Sequence, residues 1–195
     1  NAFYASNGEA QANNVVSMTW ADFNGDGYMD LYMGMSRATG TQGAVMLNDK
    51  NGNLLTGQGI GAAATDKYNS NISVATDWNH DGKMDIIKLA AAGNAQSYLY
   101  TNDGLSSGLS FTTSAFGSKV VSAPSGAALV DYDWDGAQDL LIFSQNGAVT
   151  LERNTNKVES GTSIHLKIVD KEGINVFYGN TVRLYDSFGK LVASQ

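Results

Sequence analysis

Apolar residues along this chain fall in short runs separated by stretches of Gly, Asn, Asp, Ser and Thr, and no stretch sustains helical periodicity. The runs from Val15 to Trp20, Leu31 to Met33 and Val45 to Leu47 predict three strands. The same succession returns as Ile72 to Ala75, Ile86 to Leu89 and Tyr98 to Tyr100, and again as Ala127 to Val130, Leu140 to Phe143 and Val149 to Leu151. A weaker run, Leu109 to Thr113, predicts a fourth strand in the middle set. The expected fold class is all-β, built from repeated sets of short antiparallel strands.

The spacer between the first and second strands of each set has a fixed pattern. It reads Asp22-Phe23-Asn24-Gly25-Asp26-Gly27-Tyr28-Met29-Asp30, then Asp77 to Asp85, then Asp131 to Asp139, with starts 55 and 54 residues apart. Carboxylate or carboxamide oxygens stand at positions 1, 3, 5 and 9 of each copy: Asp22, Asn24, Asp26 and Asp30; Asp77, Asn79, Asp81 and Asp85; Asp131, Asp133, Asp135 and Asp139. Gly27, Gly82 and Gly136 at position 6 permit a sharp reversal, and the carbonyls of Tyr28, Lys83 and Ala137 at position 7 add one more oxygen. About six or seven hard oxygen ligands suit Ca²⁺ better than the smaller, strictly octahedral Mg²⁺. With no His, Cys or Glu at a ligand position, zinc and other borderline metals are disfavoured. About three Ca²⁺ ions are therefore expected, held most tightly in the third loop, whose position 3 is Asp133 rather than Asn.

The first half of the loop mimics an EF-hand and the second half excludes it. Position 12, where an EF-hand places a bidentate Glu, holds Met33, Lys88 and Ile142, and strands rather than helices flank the loop. A second marker follows each loop: Asn48, Asn102 and Asn154 end the third strand, 26, 25 and 23 residues after the first loop Asp. Each unit thus runs strand, metal loop, strand, strand, turn and weak fourth strand, which is the pattern of a β-propeller blade.

Ala21 to Leu31 and its two copies resemble the FG-GAP/VCBS-type repeats, calcium-binding blades of integrin α-subunit heads and of many bacterial surface and secreted proteins. The resemblance covers roughly residues 1 to 157 and implies about three blades plus a partial one, because Ala2 to Gly8 parallels Tyr98 to Gly104. At position 4, where such repeats commonly carry Gly, the second and third copies have His80 and Trp134, neither of them a ligand. Three blades do not close a ring, so further blades are expected from a longer chain or from a self-associated copy. Residues 158 to 195 break the pattern: Ser163 to Val169 and Asn175 to Asp186 alternate as strands before a turn at Ser187 to Lys190. This tail resembles the ASPIC/UnbV-type β module, chiefly at Asn175, Gly179 and Val182, and its residues equally suit a β-hairpin packed on the last blade.

Charge adds to this picture. The formal net charge is −7, but ten of the 19 acidic residues lie in the three loops, and three divalent ions would bring the net charge to −1. The acidity is ligand charge rather than a charged face, and no basic cluster supports nucleic-acid binding. No cysteine is available for a disulfide or a thiolate site. No run of about 18 apolar residues spans a membrane, and any export signal is expected upstream of Asn1.

Other candidate chemistry is weak. Gly104-Leu105-Ser106-Ser107-Gly108 formally matches a nucleophile elbow but lacks the strand-to-helix context. Gly57-Gln58-Gly59-Ile60-Gly61 is expected to be an inter-blade connection, and His80 and His165 to be surface or packing residues, His80 pointing outward. The six Met residues with Trp20, Trp78 and Trp134 are expected in the core and between blades, and Tyr28 at an exposed loop tip. No catalytic residue is nominated. The expectation is a non-enzymatic extracellular, cell-surface or periplasmic module for adhesion or for protein or glycan binding. The alternative is a scaffold or substrate-binding part of a secreted carbohydrate-active enzyme or toxin assembly.

Overall fold

The computed structural model describes residues 14–36, 43–55, 58–59, 70–90, 96–105, 108–117, 123–156, 183–185, 187–189 and 191–194. Among these residues there is no helix, and every strand pairing is antiparallel. The first sheet contains β1 (Asn14–Ala21), β2 (Asp30–Ser36), β3 (Gly43–Met46) and β4 (Gln58–Gly59), hydrogen-bonded in chain order. The second repeats that order with β5 (Ser70–Thr76), β6 (Asp85–Ala90), β7 (Ser97–Gly104) and β8 (Ser110–Phe116). The third contains β9 (Pro124–Val130), β10 (Asp139–Ser144) and β11 (Val149–Glu152). Near the chain end β12 (Arg183–Tyr185) pairs with β13 (Leu191–Ser194) across a turn at residues 187–189. Ser163 to Val169, Asn175, Gly179 and Val182 lie outside the described residues.

The continuous apolar runs have a packing cause. A strand covered on both faces buries every residue, so its sequence does not alternate. All six residues of β6 are buried. Ile86, with Tyr100 of β7, joins Ala21, Phe23, Tyr32 and Val45 in one core between the first and second sheets. Ile87 and Leu89, on the other face of β6, join Trp78, Phe116, Leu140 and Ile142 in a second core between the second and third sheets. Edge-on ring contacts lie within these layers, Phe23 against Phe111 at 6.2 Å and Trp78 against Phe116 at 5.2 Å.

The first strands of successive sheets are also neighbours, with β5 lying against both β1 and β9. The Ser73 hydroxyl donates to the Ser17 hydroxyl at 3.0 Å, and the Thr76 hydroxyl donates to Gln138 Oε1 at 2.9 Å. The sheets are thus stacked face to face in register, which brings the three β1–β2-type loops to the same end of the stack.

The fold departs from the sequence pattern at three places. Gln58 and Gly59 form β4 and pair with Val45 and Ala44, so this segment belongs to the first sheet rather than being a connection. A backbone ladder does not need side chains, and a glycine-rich strand therefore carries no alternation to detect. Trp134 is 78% exposed, Met18 63%, Trp20 52% and Met29 49%, whereas Trp78 and Met84 pack within the two clusters. The outer faces are apolar: Trp20 and Met18 share a face with Leu31 and Met33 of the first sheet, and Val149 shares one with Phe143 of the third. His80 is half-buried, with Nε2 enclosed and without a hydrogen-bond partner, rather than pointing outward.

Candidate metal loops

Each loop joins two paired strands, and its first and last carboxylates are placed by the ends of that ladder: Ala21 pairs with Asp30, Thr76 with Asp85 and Val130 with Asp139. Within the loop, backbone N–H groups turn inward onto the carboxylates. In the first, the N–H of Asp26 donates to Asp22 Oδ1 at 3.0 Å and to Asn24 Oδ1 at 3.1 Å, and the N–H of Gly27 donates to Asp22 Oδ2 at 2.7 Å. The second repeats these bonds: Asp81 N–H to Asp77 Oδ1 at 3.0 Å and to Asn79 Oδ1 at 3.1 Å, and Gly82 N–H to Asp77 Oδ2 at 2.9 Å. Tyr28, Lys83 and Ala137 at position 7 each donate their N–H to the position 5 carboxylate, which fixes the backbone at the position whose carbonyl is the expected further ligand.

Two loop positions are left-handed in all three copies. At position 6 the φ values are 87°, 84° and 91° for Gly27, Gly82 and Gly136, as the glycine pattern requires. Position 4 has φ values of 70°, 61° and 63° for Gly25, His80 and Trp134, so two bulky residues hold a conformation that ordinarily favours Gly. A Cβ at Gly82 would meet nothing within 4 Å, so replacing it tests the backbone alone. Gly82→Ala is expected to destabilise the chain by about 1–2 kcal/mol, the usual cost of an L-residue in this region, measured by urea unfolding.

The third loop differs where its sequence differs. The N–H of Gly136 donates to Asp131 Oδ2 at 3.1 Å, but Asp131 Oδ1 is buried and has no hydrogen-bond partner. Ligand oxygens of Asp131, Asp133 and Asp135 lie within 4.8 Å of one another. A buried carboxylate oxygen left unpaired beside two further carboxylates carries a large electrostatic cost, and a hard cation is the group that relieves it. The donor set fits calcium: all oxygen, mostly anionic, and turned toward one point.

A cation of the same chain stands at position 5 of every loop. Lys50 Nζ lies 3.3 Å from Asp26 Oδ2 and 5.5 Å from the centre of the Tyr28 ring, which is exposed at the loop tip as expected. Lys83 pairs with Asp81, while Arg153 pairs with Asp133 and reaches Asp135 at 3.4 Å. Burial pushes the Asp81 carboxyl up, but the Lys83 ammonium and N–H and the Asn79 amide outweigh it and hold the group below its ordinary value.

Position 9 is the most enclosed part of each site, since Asp30, Asp85 and Asp139 are all 0% exposed. One oxygen accepts the N–H of loop position 2, from Phe23 at 2.9 Å, Trp78 at 3.0 Å and Tyr132 at 3.1 Å. The other accepts the N–H of Asn48, Asn102 or Asn154 at 2.8 Å in each case. A carboxylate oxygen has two lone pairs, so each can hold one such bond and still face an ion.

Burial raises the carboxyls of both Asp30 and Asp85, the latter to about 6, against the N–H bonds that favour ionisation and with the neighbouring loop carboxylates adding to the rise. Such a group favours the fold below its ordinary value of 3.8, and that stability is lost as pH rises through about 6. In chelator, the calcium-free chain is expected to lose stability relative to Asp85→Asn between about pH 4 and 6, on the order of 2 kcal/mol, measured by urea unfolding across that window.

The three asparagines, seen in the sequence only as a repeat marker, are part of this arrangement. Besides donating its N–H to Asp85, Asn102 donates Nδ2 to the carbonyl of Met84 at 3.1 Å and to that of Phe23 in the preceding loop at 2.9 Å. Asn154 donates Nδ2 to the carbonyl of Trp78 in its preceding loop at 2.9 Å, joined there by Asn156 at 2.7 Å. The repeat spacing was the available signal. The nucleophile-elbow pattern from Gly104 to Gly108 joins the antiparallel strands β7 and β8, which removes the context that chemistry needs.

Residues 14–46, from β1 through the first loop to β3, match the FG-GAP repeat family. No curated protein matches the chain. The matched stretch contains one complete copy of the loop, whose inward N–H bonds the second loop repeats.

Proposed function

We propose that this chain is a calcium-stabilised extracellular module of β-propeller blades, in which Ca²⁺ is structural and the blades present a surface for adhesion or for a protein or glycan ligand. The observation that carries the calcium reading is the unpaired Asp131 Oδ1 among the converging carboxylates of the third loop. The ligands are those at loop positions 1, 3, 5 and 9 with the carbonyls of Tyr28, Lys83 and Ala137. Bound calcium supplies the charge that offsets repulsion among these carboxylates and turns it into folding free energy. Lys50, Lys83 and Arg153 then serve as partial counter-charges in the empty loops, displaced from position 5 when an ion binds.

FG-GAP repeats occur in β-propeller, integrin-like extracellular proteins, which supports the placement outside the cell. Among the described residues no helix is long and apolar enough to cross a membrane. Residues 1–157 form the blade region in this reading and residues 158–195 a separate β segment. The exposed Met18 and Trp20 on one outer sheet and Phe143 and Val149 on the other support further blades, from a longer chain or a second copy, covering those faces. The role is non-enzymatic, and the exposed loop aromatics Tyr28, Tyr132 and Trp134 are the first candidates for ligand contact.

Terbium, an oxygen-seeking ion of calcium's size, tests the loops directly. Trp78 and Trp134 lie within the second and third loops, so excitation of tryptophan is expected to sensitise terbium emission that calcium then displaces. Trp134→Phe is expected to remove the third loop's share. Absence of sensitised emission from the folded chain would contradict the proposal.

A further inference from the structure

The inter-sheet contacts of Asn102 and Asn154 belong to one continuous run of hydrogen bonds. Asp30 holds the N–H of Phe23, whose carbonyl is held by the Asn102 side chain, whose own N–H is held by Asp85. Asp85 in turn holds the N–H of Trp78, whose carbonyl is held by Asn154, whose N–H is held by Asp139. All three carboxylates in this run stand at loop position 9, and Asn102 and Asn154 are 0% and 1% exposed.

We propose that this run couples the loops, so that calcium binding in one raises the affinity of its neighbour, with Asn102 and Asn154 as the positioning residues. The inference rests on the calcium reading above and concerns how the sites act together. An ion in the second loop fixes Asp85, and Asp85 fixes the backbone of Asn102. The Asn102 amide then holds Phe23, which lies between the first-loop ligands Asp22 and Asn24. A loop held at that point has less freedom left to lose when its own ion arrives, and ordering of one site lowers the entropic cost at the next. Water does not compete for bonds this deeply buried, so the restraint is transmitted rather than relaxed. Coupling between two binding sites is reciprocal, and filling the first loop tightens the second by the same factor. The third loop is tied to the second twice, through Asn154 and Asn156, both on the Trp78 carbonyl between Asp77 and Asn79.

The glycines at position 6 provide one reporter per loop, because each donates its N–H to the position 1 carboxylate. Calcium titration of the full chain, followed at the Gly27 and Gly82 amide resonances, gives separate binding curves for the first and second loops. In the unaltered chain these curves are expected to be steeper than single-site binding. Disabling the second loop with Asp77→Asn and Asp81→Asn is expected to weaken calcium at Gly27 on the order of fivefold, within the usual range of coupling between sites. Asn102→Ala keeps the backbone N–H that Asp85 uses; it is expected to weaken the first loop similarly and to make it indifferent to the state of the second. If Asn102→Ala fails to fold, the second-loop variant and the steepness in the unaltered chain decide the matter. Single-site curves, with the same Gly27 midpoint whether or not the second loop is disabled, would overturn the coupling and leave the calcium sites standing. No calcium-dependent shift at any of the three glycines would overturn the calcium reading itself, and the coupling with it.

Discussion

Removing calcium is expected to lower the unfolding free energy of the chain by about 5 kcal/mol. With a dissociation constant near 10⁻⁴ M, typical of extracellular modules, and about 2 mM free ion, each filled loop adds roughly 1.8 kcal/mol by mass action. Three loops together then account for a large part of the roughly 5–15 kcal/mol that separates a folded domain from its unfolded chain. Its structural origin is at position 9, where the carboxylates are fully buried and where Asp30 and Asp85 must be ionised to bind but are costly to ionise while the loops are empty. Urea unfolding in chelator and in millimolar calcium measures the difference. Equal midpoints would mean that the loops hold their shape through backbone bonds alone.

Asp85→Ala is expected to be the most damaging single substitution, at about 3–5 kcal/mol even without calcium. The carboxylate is the acceptor for both the Trp78 and the Asn102 N–H groups, and its loss leaves two enclosed donors unsatisfied. Each such donor costs about 1–3 kcal/mol, and the vacated volume adds to it. A surface carboxylate of the same chain, such as Asp103, offers the comparison, because it is exposed and its bond from Thr112 is exposed as well. A loss at Asp85 no larger than at Asp103 would show that position 9 does not pin the loop to the third strand.

The strands were visible in the sequence because each is a short apolar run between turn residues, and the loops because their ligand pattern recurs three times. β4 was not visible: Gln58 and Gly59 contribute backbone to the ladder and no hydrophobic signal. The exposure of Trp134 was also hidden, because its residue type suggests a core while its position 4 backbone, at φ 63°, places it on the turn of the loop. The role of the asparagines was hidden for a different reason. Their spacing from the loop was plain, but the partners of their side chains lie 79 and 76 residues away, and only the stacking of successive sheets brings them together. Local pattern therefore disclosed each loop separately, and tertiary packing disclosed the hydrogen bonds that connect one loop to the next. The third loop lies between these cases: four carboxylates were evident from composition, while the unpaired oxygen of Asp131 is a matter of geometry.

The most direct test is equilibrium dialysis of the folded chain against calcium in the presence of excess magnesium, with bound metal counted by atomic emission. About three calcium ions per chain are expected to bind, unaffected by magnesium, falling to about two in the Asp131→Asn, Asp135→Asn variant. A folded chain that binds no calcium, or that exchanges it freely for magnesium, would contradict the claim that these three loops are structural calcium sites.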